Sequence, residues 1–137
     1  MALLAVDHVT KIYPSNGASV TALNDVSFSA EPGEWIALTG RSGCGKSTLL
    51  NLCGAMDFPT AGTVSIGGTV TGRLDDRALT RLRRERIGFI FQSFQLLETL
   101  SVVENVEAPL LLAGTGNARA VALERLAWVE LDSYEGR

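Results

Sequence analysis

Residues Gly40 to Ser47 read Gly-Arg-Ser-Gly-Cys-Gly-Lys-Ser and satisfy the spacing G-x-x-x-x-G-K-[ST]. No other stretch of the chain constrains its fold as strongly. A backbone that wraps a polyphosphate needs glycine wherever a Cβ would collide or φ must be positive. The successive N–H groups then converge on an anion at the positive end of the following helix. Lys46 supplies a point charge for β- and γ-phosphates, and Ser47 a hydroxyl for Mg²⁺. The flanks agree with this reading. Glu34 to Thr39 is a short apolar run that predicts a buried strand, and Ser47 to Cys53 predicts a helix with Leu49, Leu52 and Cys53 on one face.

The rest of the composition narrows the setting. A chain of 137 residues, 46% apolar, is the length of one domain and can bury a core. A formal net charge of −3 argues against a nucleic-acid partner, since such domains are usually basic. Only Cys44 and Cys53 are present, one of them inside the glycine loop, so no structural disulfide is expected and a reducing compartment fits. The longest apolar stretches, such as Leu110 to Ala113, fall far short of the ~20 residues a membrane-spanning helix needs. The first residues lack a basic region and meet Asp7 at once, so no signal peptide is expected.

Periodicity predicts two strands, residues 2–13 and 19–30, joined by a turn at Pro14-Ser15-Asn16-Gly17. Pro32-Gly33 turns the chain towards the loop. Thr63 to Gly68 is a short strand ending in a turn. Asp75 to Arg86 is a helix whose acids lie at its start and arginines at its end, as the helix dipole favours, and the arginines form a solvated face. Ile87 to Phe91 is continuously apolar, the pattern of a strand buried on both faces, and ends at Gln92. Ser101 and Glu104 have capping-box spacing. Asn117 to Val129 is an amphipathic helix with Val121, Leu123, Leu126 and Val129 among its apolar positions. The sole histidine, His8, reads as a strand-surface residue.

Three separated pieces now align: Tyr13 upstream, the loop from Gly40 to Ser47, and Gln92 at the end of Ile87-Gly88-Phe89-Ile90-Phe91. Together with Leu23-Asn24-Asp25-Val26-Ser27-Phe28, Pro32-Gly33-Glu34 and Pro59-Thr60-Ala61-Gly62-Thr63-Val64, they make the chain resemble the nucleotide-binding subunit of an ATP-binding cassette (ABC) transporter over essentially its whole length. The resemblance implies an α/β fold of the P-loop NTPase type. An N-terminal antiparallel β subdomain (residues 1–33) would lead into a core to the Q-loop (34–92) with an incomplete parallel sheet, and then into the start of a helical subdomain (93–137).

It also implies roles. Tyr13 would stack on adenine. Gly40, Arg41, Ser42, Gly43, Cys44, Gly45, Lys46, Ser47 and Thr48 would hold the phosphates of ATP. Ser47 and Gln92 would contact Mg²⁺, with Gln92 also touching the attacking water and sensing the membrane partner. The implied partners are a transmembrane permease and a second copy of the subunit, at the inner face of the plasma membrane. Phe94-Gln95-Leu96-Leu97, Leu100 to Val106 and Pro109-Leu110 are similar to a subgroup serving lipoprotein release, macrolide or peptide export, and division-associated permeases.

The family's remaining hydrolytic motifs have no counterpart here. No Ser-Gly-Gly occurs. Leu126 to Asp132 lacks the Asp-Glu pair of a Walker B strand, and His8 precedes the loop. The chain therefore reads as an N-terminal portion, expected to bind nucleotide weakly on its own, to aggregate readily and to hydrolyse little. Two other readings stay open: a non-catalytic nucleotide-binding remnant, and a small P-loop kinase with the 81–86 arginines as a lid. A GTPase is disfavoured, because no Asn-Lys-x-Asp motif occurs.

Overall fold

The computed structural model describes residues 2–137, which group into two units, one ending at Phe89 and the other spanning Ile90–Arg137. The first unit is built on an antiparallel hairpin, β1 (Leu4–Ser15) and β2 (Ala18–Ala30). Two residues, Asn16 and Gly17, make its turn, with Gly17 at φ 79°. This is shorter than the four-residue turn expected, because Pro14 and Ser15 stay in the ladder opposite Ser19 and Ala18. Proline is tolerated there because β1 pairs on its other side with β3 (Ala61–Ile66) only as far as Thr10, so no third strand asks for the missing N–H. A two-residue strand β4 (Thr69–Val70) follows the Gly67-Gly68 turn and completes the sheet order β2-β1-β3-β4.

The sheet is bulged where it matters. Register slips by one residue in β1 between Val6 and Val9, and by one in β2 opposite the Val9–Lys11 step. The residues His8 and Asp25 in these slips have left-handed φ of 47° and 52°. Such backbone costs a non-glycine residue on the order of 1–2 kcal/mol, so it needs compensation. The compensation is local. The His8 N–H donates to Ser27 Oγ at 2.8 Å, the Asp25 N–H to Thr10 Oγ1 at 3.2 Å, and the two side chains meet at 2.7 Å, Nδ1 to Oδ1. His8 is solvent-exposed on β1, as its sequence context suggests.

The hydrogen bond to Asp25, then its charge and that of Asp7, raise the His8 pKa above 6.5. A raised folded-state pKa means this pair stabilises fully below the unfolded value and loses its contribution as pH climbs through the folded one. An NMR titration should place the His8 midpoint above 6.5, and Asp25→Asn should lower it. A wild-type midpoint at or below 6.5 would reject the pairing.

Against this sheet packs α1 (Lys46–Cys53), which buries Leu49 and Leu52 among Val6, Val9, Leu23 and Val64. Burial raises the Cys53 thiol to about 11, and both cysteines are free, as their positions predict. A second cluster joins Ala55, Ile66 and Leu79 of α2 (Asp76–Arg86), whose N-cap Asp75 accepts from the Ala78 N–H at 2.7 Å. Arg81, Arg84 and Arg86 are exposed, as expected, but Arg83 is not part of a solvated face: it is half-buried and its guanidinium donates to the Ala55 carbonyl at 3.3 Å.

Two expected strands are absent. Residues 34–39 and 87–91 form no ladder with any described residue, so no parallel sheet forms between them. Leu38 and Ile87 still pack on the two clusters, but Trp35 and Ile90 are 96% and 98% exposed. Apolar runs record a demand for burial; a strand also needs a ladder with a neighbouring strand, and neither run joins the described sheet.

The second unit pairs α3 (Val102–Leu112) with α4 (Ala118–Trp128). The capping box is present: Glu104 N–H to Ser101 Oγ at 3.4 Å, and Ser101 N–H to Glu104 Oε2 at 2.7 Å. Asn105 ties the preceding loop down, accepting from the Leu97 N–H and donating to the Leu97, Leu100 and Ser101 carbonyls. The buried face of α4 is Ala118, Ala122 and Leu126 with Leu123 beside it, whereas the expected Val129 lies past the helix end and is exposed. Alanines four apart let the two helices approach closely, and they carry too little hydrophobic signal to mark that face in advance.

Candidate functional site

The phosphate-type loop occupies Gly40 to Gly45 and delivers the chain into α1. Gly43 and Gly45 have φ of 77° and 93°, the left-handed backbone that the motif's glycines anticipate. Gly45 is the N-cap of α1, and a Cβ there would strike the Ala22 carbonyl oxygen of β2. The loop is thus seated against the hairpin, in a position only glycine can take. No side chain caps α1 and no acid lies in its first turn, so the helix start keeps its positive end for an external anion.

Lys46 lies across the loop. Its ammonium donates to the Gly40 carbonyl at 2.8 Å and the Arg41 carbonyl at 2.7 Å, and reaches Cys44 Sγ at 3.5 Å. Arg41, Ser42, Gly43, Cys44 and Ser47 are exposed, and Thr48 is half-buried one residue further into the helix. These donors fit a polyphosphate: an ammonium, a hydroxyl and the open end of a helix. For a metal the chain offers chiefly the Ser47 hydroxyl, and among the described residues no group of three or more acids, histidines or cysteines converges. That suits Mg²⁺, which keeps waters and binds largely through substrate phosphates.

Tyr13 is tied to the segment that follows α1. Its hydroxyl donates to Asp57 Oδ2 at 2.8 Å. Burial raises the phenol pKa and Asp57 adds to the rise, while the hydroxyl of Thr48, directly after the loop, opposes it. Asp57 also accepts from Lys11 Nζ at 2.7 Å, and that ammonium lies 4.8 Å from the centre of the Tyr13 ring. Burial pushes the Asp57 carboxyl up, but the hydrogen bonds from Lys11, Tyr13 and the Phe58 N–H outweigh it and hold the acid below its usual range.

Sequence reasoning missed Lys11 and Asp57. The only hint was their polarity, Lys11 two residues before Tyr13 and Asp57 between Met56 and Phe58. Gln92 lies in an exposed bend of the second unit, in Ile90–Arg137, after the extended 87–91 segment.

A glycine loop entering a helix beside an antiparallel sheet defines a phosphate-loop NTPase of the ATP-binding cassette type. The ABC transporter family matches residues 23–137, and the chain belongs to that family. It is 46% identical over 125 residues to the "Macrolide export ATP-binding/permease protein MacB" of Burkholderia pseudomallei, covering 88% of this chain and 19% of that protein. It is 43% identical over 130 residues to the "Probable syringafactin export ATP-binding/permease protein SyfD" of Pseudomonas syringae, covering 91% and 20%. Among solved structures it resembles the dimeric ATP-binding cassette MJ0796 bound to ADP and Pi, with TM-score 0.92, 39% identity, and coverage of 98% of this chain and 60% of that one. The chain therefore spans about a fifth of the length of these curated relatives. No described helix is long and apolar enough to cross a membrane.

Proposed function

We propose that this chain is the ATP-binding part of an export-type ABC transporter, in which binding and hydrolysis of Mg·ATP drive a membrane permease. The observation that carries the reading is the glycine loop itself, which leads into α1 with Gly45 at its N-cap and the Lys46 ammonium folded over the Gly40 and Arg41 carbonyls. On this reading the loop holds the phosphates, and the Tyr13 ring, tied through its hydroxyl to Asp57, stacks on the base. Loop amides and Lys46 neutralise the phosphate charge, and Ser47 contributes to the metal. Phosphoryl transfer is driven by positioning and charge neutralisation, so these groups act without covalent chemistry of their own. Magnesium, when bound, screens the phosphate oxygens. The relatives' names join ATP binding to a permease, and the cassette MJ0796 is dimeric, which supports a permease partner and a second copy at the cytoplasmic membrane face.

Tyr13→Ala tests the reading. Stacking is worth ~1–3 kcal/mol per base, so Mg·ATP affinity should fall roughly tenfold or more in calorimetric titration. Affinity for Mg·tripolyphosphate, which has no base, should not move. An unchanged ratio of the two affinities would remove Tyr13 from the site.

A further inference from the structure

Tyr13 is held more tightly than a half-exposed aromatic needs to be. Asp57 lies in the segment between α1 and β3, far in sequence from β1. One of its oxygens takes the Tyr13 hydroxyl at 2.8 Å, and the other takes Lys11 Nζ and the Phe58 N–H, both at 2.7 Å. Lys11 Nζ also donates to the Phe58 carbonyl at 2.7 Å, and its side chain is only 12% exposed. The backbones are pinned alongside: the Thr60 N–H donates to the Thr10 carbonyl at 2.8 Å, and the Ile12 N–H to Thr60 Oγ1 at 3.0 Å. A surface ion pair alone would not require this many partners.

We infer that Asp57, braced by Lys11, is a positioning residue for the nucleotide base. It fixes the Tyr13 ring by its hydroxyl, while the Lys11 ammonium closes one ring face and leaves the other to a planar base. The inference rests on the reading of Tyr13 as the stacking residue. Its physical content is preorganisation. A free surface tyrosine surrenders rotamer freedom when a base stacks on it; one already fixed in the folded protein does not. A cation over one ring face also directs the base to the opposite face, since the ammonium holds the electron-rich side it occupies.

Titrations of the full chain with Mg·ATP and with Mg·tripolyphosphate separate this from a structural role. Asp57→Ala should weaken Mg·ATP about three- to tenfold, the scale of one lost hydrogen bond and one freed side chain, with Mg·tripolyphosphate unchanged. Tyr13→Phe keeps the ring, loses the hydroxyl and should show the same loss. The double variant should lose no more ATP affinity than either single, because each already lacks the Tyr13–Asp57 hydrogen bond.

If Asp57→Ala and Tyr13→Phe bind ATP like wild type while Tyr13→Ala does not, the positioning role is overturned and stacking stands. If Tyr13→Ala is also silent, stacking fails and the positioning role with it. Equal loss of both ligands in Asp57→Ala would mark a general structural role and overturn the inference. Should Asp57→Ala fail to fold, the Tyr13→Phe ratio decides alone.

Discussion

Lys46→Ala should abolish measurable Mg·ATP binding, lowering affinity by at least about 100-fold, on the scale of two charged hydrogen bonds lost to phosphate oxygens. The ammonium now rests on the Gly40 and Arg41 carbonyls, so its positive charge already lies inside the curve of the loop. Alanine removes both the charge and the tie between the loop's first turn and the helix start. Lys46→Arg should not rescue binding, because a planar guanidinium cannot take the place of a compact ammonium among converging carbonyls. The lysine lies at the head of α1 and outside the three buried clusters, so thermal stability without ligand should change little. Calorimetric titration beside a melting curve separates these effects. Affinity within threefold of wild type would overturn the assignment.

Gly62→Ala should be the most destabilising of the conservative substitutions in the sheet, by roughly 3–5 kcal/mol, a large share of a domain's marginal stability. Gly62 sits at φ 80° in β3, where a Cβ would run into the backbone carbonyls of Asp7 and His8. These atoms belong to the β1 bulge, so they cannot swing aside as a side chain could. Gly67→Ala supplies the control. Its φ is 55°, but nothing lies within 4 Å of a Cβ there. Only the left-handed backbone penalty of ~1 kcal/mol should appear. Urea melts of the two variants should therefore differ by at least about 2 kcal/mol by this argument. Equal losses would show that backbone conformation, and not crowding by the bulge, makes glycine necessary at Gly62.

The parts legible in the sequence were those whose cause is local. The glycine spacing announced the loop, Ser101 and Glu104 announced a helix start, and alternation announced the hairpin. The parts that escaped depend on relations between distant segments. Residues 34–39 and 87–91 had the composition of strands but found no ladder, which one run cannot signal by itself. Lys11 meets Asp57 across 46 positions, and neither residue carries a periodic or motif signal. The core face of α4 rests on alanines, which a search for large apolar residues passes over.

The β2 register slips once more, between the pairs Lys11–Leu23 and Ile12–Thr21, leaving Ala22 as the extra residue. Its carbonyl oxygen is the atom against which Gly45 is seated. A hairpin shaped for its own stability would drop Ala22 and close the ladder. It would then lose the stop that sets how far the phosphate loop can settle. Stability and ligand geometry thus pull in opposite directions at a single alanine with no functional group of its own. The geometry there depends on the number of residues between Val20 and Leu23 more than on their identity, so deletions should be tolerated far less than substitutions.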